Sequence, residues 1–126
     1  MENSVALLGL RTVVYMVEEL EKAKDWYAKA FNVNAYYDSP HYVGFNVCGY
    51  ELGLHPTETS KGKDTGTVLH YWGVENVKES YAILLELGAK KHEEPFEVEG
   101  DLMLASVYDP WDNIIGIIYN PHFKLP

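Results

Sequence analysis

Few residues in this chain can do chemistry, and they are scattered. Glu51 stands in a strand-like run with Gly53 and His55 at alternate positions, so the three share one face. A single carboxylate there can serve as a general acid or base, or as one ligand of a divalent metal. His41, His55, His92 and His122 lack the mutual spacing that marks a ligand pair, and read as surface or hydrogen-bonding residues. Cys48, the single cysteine, has no evident basic activator and reads as a buried or turn thiol.

The elements that must position these residues follow from periodicity. Residues 11–17 are β-branched and aromatic, a buried strand. In residues 18–31, Leu20, Ala23, Trp26, Tyr27, Ala30 and Phe31 recur at helical steps between charged residues, an amphipathic helix. Breaker-rich stretches at 32–34 and 38–40 leave strands over 35–37, 41–47 and 50–55, the last two joined at Cys48-Gly49. Residues 57–66 are Thr-, Ser-, Lys- and Gly-rich and read as a linker between module one (9–56) and module two (67–120). There the pattern restarts with a strand over 67–73, a helix marked by Val77, Tyr81, Leu84 and Leu85, and Gly88 suited to a left-handed helix end. Strands are predicted over Lys90–Val98, Leu102–Tyr108 and Ile114–Tyr119, the last two separated by the turn Asp109-Pro110-Trp111-Asp112-Asn113. Val17-Glu18-Glu19-Leu20 lies over Val74-Glu75-Asn76-Val77, so one β-α-β-β-β unit is used twice in a single α+β domain.

Composition bounds the partners. The chain has 126 residues, 47% of them hydrophobic, enough to bury about two thirds of its unfolded surface without disulfide or metal. Its single cysteine suits a reducing compartment. Residues 1–9 lack a signal-peptide pattern, and no run approaches the roughly 20 apolar residues of a membrane span. The expectation is a soluble, cytoplasmic protein without membrane contact. A net charge of −9 without a Lys/Arg cluster speaks against nucleic acid and suits a neutral, cationic or metal-bound small ligand.

The strand ending at Val17, followed by Glu19-Leu20 and a helix carrying Trp26-Tyr27, resembles the opening of vicinal-oxygen-chelate proteins, the glyoxalase, bleomycin-resistance and dioxygenase superfamily. Asp109-Pro110 followed by Asn113 and an apolar strand resembles that superfamily's Asp-Pro-x-Gly-Asn signature, departing from it at Trp111-Asp112, where glycine is usual. Tyr42-Val43-Gly44-Phe45-Asn46-Val47, Gly49-Tyr50-Glu51-Leu52-Gly53-Leu54 and Tyr71-Trp72-Gly73-Val74 look like one bacterial glyoxalase-like subgroup. The resemblance implies two βαβββ modules forming a curved mixed sheet around a cavity, and a homodimer.

Carried over by motif, the superfamily's metal-ligand positions fall on Thr12, Glu51, Leu69 and Gly116. Only Glu51 is a good ligand, and a catalytic Zn, Ni or Fe site needs roughly three. No metal or other cofactor is therefore expected, with a divalent metal as the alternative. His70 would enter the set only if its strand bulged, since neighbouring strand residues face opposite ways. The expected lining is Thr12, Val14, Met16, Glu51, Gly53 and His55 from module one. Module two would add Thr67, Leu69, Tyr71, Ile114, Gly116 and Ile118. That is an apolar chamber for a small organic ligand. In it Glu51 should resist ionisation and act as acid or base, unless it is solvated or paired with Arg11 or a lysine. Tyr71 is either a stacking residue or a core tyrosine. The leading expectation is a small-molecule-binding protein or metal-independent enzyme. The alternatives are a metal-dependent glyoxalase-type lyase or dioxygenase, and a protein that sequesters a drug-like molecule.

Overall fold

The β-branched runs fold as strands and the amphipathic stretches as helices that cover them. A computed structural model describes residues 8, 10–57, 69–98, 100–122 and 125. The chain divides into two compact units, Met1–Pro56 and Thr57–Pro126.

In the first unit, β1 (Thr12–Val17), α1 (Leu20–Phe31), β2 (Ala35–Ser39), β3 (Tyr42–Val47) and β4 (Tyr50–Pro56) build a four-stranded sheet in the order β1-β4-β3-β2. The β1–β4 pair is parallel and the others antiparallel. Alternation sends Tyr15, Val17, Val43, Phe45, Leu52 and Leu54 to the face that packs with Ala23 and Tyr27 of α1, all of them buried. The Tyr27 ring meets Tyr15 and Phe31 at centroid distances of 5.6 and 5.4 Å. Asn32 ends α1 at φ 54°, its N–H donating to the Ala28 carbonyl. The β3–β4 turn is Cys48 (φ 54°) and Gly49 (φ 95°), the positive-φ pair of a two-residue hairpin, and the Cys48 thiol is exposed.

The second unit repeats the order with β5 (Tyr71–Gly73), α2 (Val77–Glu86), β6 (Lys90–Val98), β7 (Leu102–Tyr108) and β8 (Ile114–Tyr119), arranged β5-β8-β7-β6. The expected strand over 67–73 begins only at Tyr71, where its pairing with Gly116 starts. Thr67 lies outside the described residues. Asn76 caps α2 by accepting the Glu79 N–H at 3.0 Å. Val77, Tyr81, Leu84, Ala105, Val107, Ile115 and Ile117 form the core. The terminal strand β6 carries two register shifts, Pro95 and the charged residues Lys90, Lys91, Glu93, Glu94 and Glu97.

The turn between β7 and β8 is built on Asp109, which is fully buried. Its Oδ1 accepts the backbone N–H groups of Trp111 (2.9 Å) and Asn113 (2.8 Å), and its Oδ2 accepts Asn113 Nδ2 (3.0 Å). Asp112 adopts φ 69°, the left-handed conformation for which the signature normally uses glycine.

Within this core the Tyr81 hydroxyl is buried, with no hydrogen-bond partner among the described residues. Removing a buried, unpaired hydroxyl relieves its desolvation cost. Tyr81→Phe is expected to match or exceed the parent in stability by up to about 1 kcal/mol in urea denaturation. A loss of that size would reveal a partner for the hydroxyl.

Candidate functional site

The face of the first sheet opposite α1 gathers one carboxylate and three hydroxyls. Thr12 and Glu51 are register partners on β1 and β4, and Thr12 Oγ1 donates to Glu51 Oε1 at 2.9 Å. The Tyr36 hydroxyl donates to Glu51 Oε2 in a short hydrogen bond, and the Tyr42 hydroxyl is bonded to the same carboxylate. Two local devices allow this. Glycines at 44 and 53 clear the sheet surface: a Cβ at Gly44 would stand 2.8 Å from Glu51 Oε2, and one at Gly53 would sit on the Tyr42 hydroxyl. A register shift between Ala35 and Tyr37 supplies the second, re-aiming Tyr36 toward Glu51 while Tyr37 remains within 6.2 Å of the Tyr42 ring. Both Tyr36 and Tyr37 are exposed.

This arrangement reverses the ionisation expected of Glu51. The Tyr36 hydrogen bond holds its carboxyl below the usual carboxylate range, aided by Thr12 and Tyr42 and opposed by partial burial. The phenols shift the other way: Tyr36 is raised chiefly by donating to Glu51, and Tyr42 chiefly by burial. Alternation along β4 predicted apolar neighbours for Glu51, but the side chains that decide its charge come from β2 and β3. The sequence signal was present as tyrosines on strands flanking a Glu-x-Gly pattern. Arg11 meets Glu51 through the backbone, its carbonyl accepting the Glu51 N–H at 2.8 Å, while its guanidinium donates to the Leu8 carbonyl at 2.9 Å.

A pH dependence follows. Because the folded pKa of Glu51 lies below its unfolded value, its contribution to stability is present above the usual carboxylate range near 4.5. It disappears as pH falls through the lower folded value. Calorimetric melting from pH 7 downward should show the parent losing a component of stability below that range that Glu51→Gln lacks at every pH. Parallel curves for the two proteins would refute the ionised assignment.

The rest of the expected lining is distributed over both units. Val14 and Met16 are exposed on the Thr12 face, and His55 places Nδ1 2.9 Å from the Pro56 carbonyl oxygen. In the second unit Tyr71 lies over Gly116: a Cβ there would stand 2.6 Å from Tyr71 Cδ1. Ile114 and Ile118 are half-buried on the same face, and Leu69 is exposed ahead of β5. His70 also precedes β5, so strand alternation does not constrain it; burial lowers its pKa. His92, set aside in the sequence, places Nδ1 2.7 Å from the Ser106 Oγ and its ring edge-on to Tyr108 at 4.9 Å. Its place beside a register shift between Lys91 and Glu93 and its bond to Ser106 make it a hydrogen-bonding histidine.

The family model for the Glyoxalase/Bleomycin resistance protein/Dioxygenase superfamily matches residues 9–117. The chain belongs to this superfamily. Solved structures agree on the fold. A glyoxalase-related enzyme from Fulvimarina pelagi superposes with a TM-score of 0.76 at 17% identity, covering 95% of this chain and 94% of that one. The fosfomycin resistance protein FosX from Listeria monocytogenes, solved with Mn(II) and sulfate, gives 0.72 at 16%, with coverages of 93% and 94%. A superfamily enzyme from Burkholderia phytofirmans gives 0.72 at 16%, with 86% and 95%. At these identities the likeness shows the fold. No curated protein matches the chain.

A superfamily metal would need donors that the described residues do not bring together. Leu69 and Gly116 offer none. Glu51 is engaged by three hydroxyls, and among the described residues no three His, Cys, Asp or Glu side chains gather in a set able to hold an ion. The site does not fit a catalytic divalent metal.

Proposed function

We propose that this superfamily member is a small-molecule-binding protein or metal-independent enzyme whose organic ligand lies on the face around Glu51, beside Thr12, Val14, Met16 and His55. Tyr71, Leu69, Gly116 and Ile118 are the corresponding second-module positions. The carrying observation is the carboxylate held by Thr12, Tyr36 and Tyr42 over Gly44 and Gly53. A carboxylate kept ionised is a poor general acid, so Glu51 acts as an anchoring group or as a base. That favours binding over acid catalysis and supports drug sequestration as the second reading. The metal-dependent lyase or dioxygenase reading has the Mn(II) complex of FosX in its favour and the donor set against it. The protein works in the cytoplasm as a homodimer, a reading supported by its lone cysteine and by apolar side chains such as Val14, Met16 and Leu69 left exposed. Among the described residues no helix is long and apolar enough to cross a membrane.

The test is a thermal-shift screen of small organic molecules against the parent and Glu51→Gln, with elemental analysis of protein purified without chelator. A ligand at about 100 times its Kd stabilises by about 2.7 kcal/mol. Glu51→Gln should lose at least about tenfold in affinity, about 1.4 kcal/mol. Stoichiometric Zn, Ni, Mn or Fe(II) at micromolar affinity would overturn the metal-independent reading.

A further inference from the structure

We infer that the site around Glu51 selects a primary ammonium group on its ligand, an inference that rests on the binding face proposed above. It follows from the direction of the hydrogen bonds. Thr12, Tyr36 and Tyr42 each spend their hydroxyl hydrogen on the Glu51 carboxylate. What the three oxygens keep for a ligand is therefore lone pairs, since a hydroxyl carries one donor and two acceptor sites. The carboxylate adds a net negative charge, so the cluster accepts hydrogen bonds and offers none.

The basic residues of this unit do not change that balance. Lys22, Lys24 and Lys29 belong to α1, which packs on the other face of the sheet, and Lys22 and Lys24 are ion-paired there with Glu19, Glu21 and Asp38. Arg11 is turned to the Leu8 carbonyl.

A carboxylate ligand would meet like charge and no donor from this cluster. A neutral alcohol has one hydrogen to give and gains nothing from the charge. A primary ammonium has three N–H donors for converging oxygens and a charge opposite to that of Glu51. The exposed Tyr36 and Tyr37 rings flank the position and favour a cation over a neutral group. Donor-directed selection also separates this site from an aromatic cage, which takes quaternary ammonium readily.

The experiment titrates the full chain at neutral pH with benzylammonium, benzyltrimethylammonium, benzyl alcohol and benzoate, followed by calorimetry and by the tyrosine ring NMR signals. Benzylammonium should bind at least about tenfold more tightly than either benzyl alcohol or benzyltrimethylammonium, with benzoate the weakest, and should shift the Tyr36 and Tyr42 signals. Glu51→Gln, checked for native circular dichroism, should remove that preference, and Tyr36→Phe should weaken it as an independent variant. Equal binding of benzyl alcohol or benzyltrimethylammonium with the same signals shifted overturns the ammonium inference and leaves the binding face standing. No shift with any probe at millimolar concentration overturns both.

Discussion

Replacing Asp109 with alanine should cost about 3 kcal/mol of stability, read as a lower urea midpoint at unchanged slope. The carboxylate is fully buried in the turn and takes two backbone N–H groups and one side-chain amide, at 2.8 to 3.0 Å. Alanine strips those three donors of their acceptor inside the protein, where each buried group left unsatisfied costs about 1–3 kcal/mol and partial relaxation of the turn brings the sum down. Asp109→Asn keeps one oxygen acceptor and should recover part of the loss. A loss below about 1 kcal/mol for alanine would mean that the backbone pairing of Asp109 with Asn113 (2.8 Å) holds the turn unaided.

The second large effect is steric. In Gly116→Ala the new Cβ would overlap the His70 carbonyl oxygen and stand 2.6 Å from Tyr71 Cδ1. A backbone oxygen cannot rotate away, so the short β5 has to shift off β8, at about 3 kcal/mol. Gly73→Ala, on β5 and with nothing among the described residues within 4 Å of its Cβ, is the control and should stay within about 0.5 kcal/mol. Hydrogen exchange of the Val74 amide, which bonds to the Ile118 carbonyl at 2.9 Å, would report displacement of β5 directly. Equal stabilities for the two variants would show that β5 does not depend on close approach at Gly116.

These two positions also mark how far the sequence could be read. The Asp109 turn, the repeated β-α-β-β-β order and the limits of β6, β7 and β8 were legible, because hydrophobic periodicity and turn chemistry are local. Asp112 was flagged as the misfit in its motif, and it does adopt the left-handed backbone that glycine would. Alternation puts Glu51 on one face with Gly53 and His55, but it does not show which groups lower the carboxyl's pKa. Deciding that required Tyr36 and Tyr42 from other strands, a register shift in β2, and the space left by Gly44 and Gly53. Sequence patterns thus give the scaffold, while side chains that converge across strands at irregularities give the site.

Those irregularities in β6 bear on how the protein behaves when crowded. A terminal strand with a flat row of open N–H and C=O groups is a template on which other chains can grow into fibrils. Two register shifts, a proline and five charged Lys and Glu side chains deny β6 that role. Concentrated solutions should accordingly resist ordered aggregation through this strand, and the unit's open border is safe to leave facing water.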